Sequence, residues 1–250
     1  MTIAIIGAGG VGQAIASRLF DLGHEVYLVH RPHQVIREGI IGLTDWRALP
    51  WERIQVVLLC VRDSQIAPLA REIELLTGRK IALGHTAGSV SLEVLGNLSP
   101  KGVIYPLQTF SQGVPIQWGR FPVFWEGDSL FFDLATMLSG NPDKVYHASS
   151  MERLRLHIGA VFAANFTNAL VDMAHRLIQP KWDYTIYLPL LEAVVQKLHY
   201  LFPREAQTGP ARRGDEETIQ KHLKLLKAEW PELAGLYEAM SRYIQAQSLQ

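Results

Sequence analysis

Few residues in this sequence are of a type that could do chemistry. His85, Tyr105 and His157 can give or take a proton, and histidine does so near neutral pH because its unperturbed pKa lies there. Arg212 and Arg213, followed by Gly214, carry guanidinium forks that could grip a carboxylate or phosphate. Gly7-x-Gly9-x-x-Gly12 could cradle phosphate through the main chain. In such a turn Gly7 allows the sharp reversal, Gly9 lets backbone amides approach a pyrophosphate, and Gly12 lets the following helix pack close. Each group also has a structural reading. The histidines and the tyrosine could be hydrogen-bonded framework side chains, the arginines loop charges or dimer contacts, and the turn a binder of nothing. The 9 histidines show no spacing that demands a metal, and His30, His33 and His222 read as surface positions, so no metal site is expected.

The surrounding elements decide between these readings. Thr2 to Ile6 is rich in β-branched side chains and runs straight into the glycines, after which Ala14, Ile15, Leu19 and Leu22 follow a helical spacing. A second strand, Glu25 to Val29, completes a βαβ unit of the dinucleotide-binding kind, with the helix amides and positive dipole end facing the phosphates. Gly7, Gly9, Gly10, Val11 and Gly12 are its expected contacts, joined by Cys60 and Val61 at the end of a strand over Ile54 to Val61. Asp63 or Ser64 is expected to cap a helix over Ile66 to Leu75. Further strands over Lys80 to Leu83 and Val103 to Tyr105 open into Gly84-His85-Thr86-Ala87-Gly88 and Pro106-Leu107-Gln108-Thr109. In an open parallel sheet ligands bind at that carboxyl edge, which makes His85 a cofactor-side candidate and Gln108 a substrate-side one. Phe121 to Trp125 and Val145-Tyr146 read as strands, and Asp128 to Leu138 as a helix.

From about Ser149 strand signals stop. Met151 to Ile178 reads as one long helix, Tyr184 to Phe202 as another kinked or interrupted at Pro189, and Gln207 to Asp215 as a loop. Asp215 caps a further helix and Pro231 starts the last. The expected fold is α/β, with a Rossmann-type parallel sheet covered by helices on both faces over residues 1–149. A smaller all-helical domain follows over 150–250.

Composition narrows the function classes. The chain has 250 residues, and 24 Lys plus Arg balance 24 Asp plus Glu, so no electrostatic footprint points to nucleic acid or an anionic membrane. No apolar run reaches the ~18 residues of a membrane span, and the N-terminus lacks the basic start of a signal peptide. A cytoplasmic protein is expected. Cys60, the single cysteine, lies in an apolar run and reads as a small buried hydrophobe. Where NAD-preferring folds place an acid after the second strand, this chain has His30-Arg31. An acid would repel a 2′-phosphate and an arginine can hold it, so NADP is expected over NAD.

Several motifs together resemble a known family. They are the glycine turn, Val61-Arg62-Asp63, His85-Thr86-Ala87-Gly88 and Tyr105-Pro106-Leu107-Gln108-Thr109-Phe110, with His157, Val161 to Phe166 and Thr208 to Asp215. The chain resembles the bacterial NADP oxidoreductases that join a Rossmann-like domain to an uncharacterised helical domain. These are relatives of pyrroline-5-carboxylate reductase and of the 6-phosphogluconate and 3-hydroxyacid dehydrogenases. The resemblance implies a homodimer formed through the helical domain, sets His157 and Asn165 beside the cleft, and implies no substrate. The hydroxyacid relatives use a lysine and an asparagine one turn apart on the first helix of the second domain. Here no lysine stands between Lys144 and Lys181, so that chemistry does not carry over. The expectation is an oxidoreductase moving a hydride between NADP and a small carbonyl, imine or hydroxy compound, with His157, His85 and Asn165 as catalytic candidates. A non-catalytic NADP-binding redox sensor is the alternative, and a deazaflavin as electron partner is a third reading.

Overall fold

The computed structural model describes residues 1–78, 81–111 and 113–248. They form two compact units, Met1–Ala164 and Asn165–Gln250. The first is built on eight strands: β1 (Thr2–Ile6), β2 (Glu25–Val29), β3 (Ile41–Leu43), β4 (Val56–Leu59), β5 (Ala82–His85), β6 (Lys101–Pro106), β7 (Val123–Gly127) and β8 (Val145–His147). Their order is β3-β2-β1-β4-β5-β6-β7-β8. Every neighbouring pair is parallel except β6 and β7. The strand order reverses between β1 and β4, and in such sheets the crevice for ligands opens there.

Alternation along the central strands feeds two cores. Ile3, Ile5, Val56 and Leu58 point to one face, where α1 (Gly10–Asp21) brings Ile15 and Leu19 and a later helix over Ser129–Ser139 brings Phe131, Leu134 and Leu138. Ala4, Ile6, Val57 and Leu59 point to the other, met by Ile66, Ala70 and Ile73 of α2 (Asp63–Thr77). A period of two buries both faces of a parallel sheet, which is why these strands read as continuous apolar runs. The helix over Ser129–Ser139 is α3. Its Phe131 lies against Gly84 and Gly102, registered partners on β5 and β6, and a Cβ on either glycine would run into the ring.

Three local expectations need correction. Asp63 and Ser64 do not cap α2: the cap residue is Arg62, without a side-chain bond, and Asp63 instead accepts the Ser89 hydroxyl. Pro189 does not kink a helix but lies in its first turn, where its missing N–H costs nothing. Met151 to Ile178 is not one α-helix. α4 (Ser150–Ala160) passes into a π-helical turn, Val161–Phe166, and then into α5 (Thr167–Ile178). α4 starts at Ser149 with a reciprocal capping box, in which the Ser149 side chain accepts from the Glu152 amide and Glu152 accepts from the Ser149 amide. Lys80, expected to open β5, lies outside the described residues.

The second unit is helical, with α5, α6 (Leu188–Lys197), two short turns α7 (Pro203–Ala206) and α8 (Pro210–Arg213), α9 (Glu216–Glu229) and α10 (Pro231–Ser248). Ile219, Leu223 and Leu226 of α9 pack with Leu233 and Ala234 of α10 and Ala211 of α8 in a small core. Asp215 caps α9 through the Thr218 amide, as expected. α5 and α6 contribute no buried residue. No helix among the described residues is long and apolar enough to cross a membrane.

Candidate functional site

The glycine turn stands between β1 and α1. Gly7 has φ +109°, and a Cβ there would collide with the Cys60 carbonyl while pressing Val61. A Cβ on Gly12 would collide with the Gly7 carbonyl. The first contact seats the turn on the end of β4, and the second packs the start of α1 against the turn itself. Gly9 differs, because nothing lies within 4 Å of where its Cβ would be. Its main chain is open at the start of a 12-residue helix whose first amides have no intrahelical partner. The turn therefore fits a dinucleotide, with a backbone cradle for a pyrophosphate at a helix start and open space above it. A Cβ on Gly10 would lie 2.5 Å from the Phe110 carbonyl oxygen, so the segment after β6 crosses the start of α1. Beneath that segment is a cavity of about 310 Å³ lined by Gln13, Ser17, Phe110, Val114 and Trp118. Two charged groups at its wall are already engaged, Arg18 with the Leu138 carbonyl and Asp21 with Arg37.

Past β2, the His30 amide donates to the Leu43 carbonyl at 2.8 Å, and the His30 ring lies flush against Gly42, where a Cβ would meet Nε2 at 2.7 Å. Arg31 is exposed. Gln34 donates its side-chain amide to the Ala8 carbonyl, tying this loop to the glycine turn. At the end of β4, burial pushes the Cys60 thiol up to about 12, and its sulfur accepts from the Thr86 hydroxyl at 3.6 Å. The thiol stays protonated, consistent with a packing role.

His85 ends β5 with no exposed surface. Burial first, and the Arg153 charge second, lower its pKa to about 4, so the ring is neutral at physiological pH. Its Nδ1 accepts the Ala87 amide at 3.2 Å; its buried Nε2 meets no partner at full hydrogen-bond geometry among the described residues, although the Ser91 backbone lies close enough to oppose the lowering of its pKa.

Tyr105 and His157 come together. The Tyr105 hydroxyl lies 3.1 Å from His157 Nδ1, and the two rings meet edge to face at 5.9 Å. Tyr105 is the penultimate residue of β6 and His157 stands in the last turn of α4, partly open to solvent. Burial raises the Tyr105 pKa, and the positive charge of Arg153 works against that rise. Beneath the pair lies Arg153, 1% exposed at its side chain and ion-paired with Glu126. Its guanidinium also donates to the Ala87 carbonyl at 3.2 Å, to the Val90 carbonyl and to the Ser150 hydroxyl. Sequence reasoning found His157 and Tyr105 but missed Arg153 and Glu126. An arginine on an amphipathic helix and a glutamate at a strand end read as solvated charges until the fold buries them together.

Gln108 is not drawn into this cluster. It accepts from its neighbour Thr109, at 2.7 Å from the amide, and closes its own turn. Asn165 lies in the π turn and belongs to the second unit. A turn bonded i to i+5 does not keep the α-helical period. Arg212 and Arg213 are exposed on α8, Arg213 at 3.9 Å from Asp215.

Residues 2–87 match the family described as NADP oxidoreductase, coenzyme F420-dependent, and residues 122–244 match a domain of unknown function. The chain is similar to a Bacteroides fragilis protein provisionally assigned as an NADP oxidoreductase. The two share 32% identity over 98% of each chain, with a TM-score of 0.85. The fold is shared with an imine reductase from Myxococcus stipitatus in complex with NADP⁺, at 18% identity, 98% and 93% coverage and TM-score 0.67. It is shared as well with a reductive aminase from Aspergillus terreus in complex with NADPH and ethyl levulinate, at 14% identity, 98% and 97% coverage and TM-score 0.63. No protein of curated function matches the sequence.

Proposed function

The chain belongs to the family of NADP oxidoreductases that joins a dinucleotide-binding domain to a helical one, and on that premise we propose that it reduces a small carbonyl or imine compound, or oxidises the matching alcohol or amine. Gly7, Gly9, Gly10, Val11 and Gly12 would hold the pyrophosphate through the main chain. His30 and Arg31 would take the 2′-phosphate, with Cys60, Val61 and His85 along the adjoining strand ends. When bound, NADP supplies or accepts the hydride.

What the protein must add is one proton and a fixed orientation. The observation that carries this reading is the Tyr105–His157 pair at 3.1 Å, on the carboxyl-edge side of the same sheet as the glycine turn. Tyr105 is protonated at neutral pH as any tyrosine is, and burial raises its pKa further, so the hydroxyl is available to donate. His157, half open to solvent, is placed to restore that proton from bulk water or to give its own. His85 is neutral and enclosed, and in this reading it holds the Ala87 amide and leaves proton transfer to its neighbours. The helical unit would pair two copies of the chain.

The test is a screen of aldehydes, ketones and cyclic imines with NADPH, with an oxidised deazaflavin as a further acceptor because the matched family is described by that coenzyme. Removal of one general acid is worth roughly 10²–10⁴-fold in turnover. Tyr105→Phe and His157→Ala should each lose that much while NADPH affinity and melting temperature stay near those of the parent. Full turnover in both variants would remove the pair from the reaction.

A further inference from the structure

His157 cannot orient itself. It stands in the last turn of a helix, and one ring nitrogen meets Tyr105. Its ring rests on Gly88: a Cβ there would lie 2.7 Å from His157 Cγ and 2.8 Å from both Cβ and Nδ1. The 86–91 segment is therefore the wall against which the imidazole is set. That segment has no strand or helix of its own before the short turn that begins at Leu92. Arg153 grips it from beneath at two carbonyls, those of Ala87 and Val90, on either side of Gly88. The guanidinium is in turn fixed by Glu126 from β7 and by Ser150, whose amide and hydroxyl also bind Glu126, the amide at 2.9 Å. Arg153 and His157 are four residues apart on one helix, hence on one face.

We infer that Arg153, clamped by Glu126, is a positioning residue that sets His157 against Tyr105 by holding the Gly88 wall in place. The inference rests on the reading of Tyr105 and His157 as the proton-handling pair, but its geometry can be tested without any substrate. Arg153 touches neither of them in this role and acts through the backbone of 87–90. A planar fork reaching two carbonyls and a carboxylate is something lysine cannot reproduce, although lysine keeps the charge. Charge and geometry can thus be separated.

The experiment is NMR of the histidine side chains in the full ¹⁵N-histidine-labelled protein, with His157 assigned through His157→Gln. Tyr105→Phe defines the signature of a lost contact in the Nδ1 shift. Arg153→Lys should reproduce that signature with the melting transition still cooperative. Gly88→Ala should do so as well, through the wall alone and with the arginine untouched. If Arg153→Lys does not fold, Glu126→Gln, which keeps an oxygen acceptor but removes the clamp's charge, takes its place. A His157 signal unchanged by the clamp variant overturns the inference, whatever Gly88→Ala does. Turnover of His157→Ala judges the catalytic reading separately, so one can fail while the other stands.

Discussion

At the scale of single residues, solvent and charge assign the histidines and arginines different tasks. His85 is enclosed beside Arg153, and its pKa is lowered to about 4. Unfolded, it would titrate near 6.5, so between those values the unfolded chain binds a proton that the folded chain does not. Stability then rises with pH across this window. It should be lost as pH falls from about 6.5 to about 4, by ~3 kcal/mol in total, with no contribution from this group above 7. Urea unfolding of the parent and of His85→Gln from pH 4 to 7.5 checks this; equal slopes in both proteins would refute it. Arg31 is the opposite case, exposed and with no ion-pair partner among the described residues. Arg31→Ala should weaken NADPH roughly ten- to hundredfold and leave NADH nearly unchanged, since only a charge-assisted bond to the extra phosphate is removed. Calorimetry with both nucleotides reads the difference, and tighter NADH binding by the parent would defeat the NADP reading. Both residues stood out in the sequence, yet only the fold separates them. Type and position along the chain say that a histidine can titrate, while burial beside a second charge says that this one stays neutral at physiological pH.

At the scale of elements, close approach of helix and sheet depends on absent side chains. Gly84 and Gly102 lie side by side on β5 and β6, and the Phe131 ring of α3 fills the hollow they leave. Gly102→Ala should cost about 1–3 kcal/mol, the usual range for overpacking a dense core. Phe131→Leu in the Gly102→Ala background should recover part of that loss, because residues in contact do not add independently. Guanidinium denaturation of the two single variants and the double variant measures the coupling, and strict additivity would show that the ring and the glycine do not share the space. The strands themselves were legible because they are short continuous runs of apolar, mostly β-branched residues, each closed by turn residues. β3 was not: Ile41-Gly42-Leu43 is a three-residue edge strand with a central glycine, too short to show any period. The π turn at Val161–Phe166 was equally hidden, because no residue type marks it. Ala, Phe and Asn there satisfy an α-helical pattern as well as a π one.

At the scale of the whole molecule, the apolar surface is unevenly settled. The sheet unit buries two hydrophobic cores, one on each face of the sheet, and α9 and α10 close a third. α6 encloses none. Leu190 is 63% exposed, Val194 49% and Val195 57%, on a helix whose only charged residues are Glu192 and Lys197. A helix that is apolar nearly all round cannot stay in water without cost, since each such side chain left uncovered forgoes about 1.5–3 kcal/mol. The run was visible in the sequence as a stretch too apolar for a thin helical layer, although the sequence could not say that α5 and α6 would be left uncovered while α9 and α10 were not. A second copy of the chain is the covering surface we propose, since a closed two-fold pairing buries the same patch on both partners. Sedimentation equilibrium should then give a dimer at micromolar concentration. Val195→Glu should shift it to monomer, with the α6 backbone amides exchanging with deuterium far faster than in the parent. A parent protein that sediments as a monomer while its α6 amides remain protected would mean that the helix finds its cover within its own chain, and the dimer would be withdrawn.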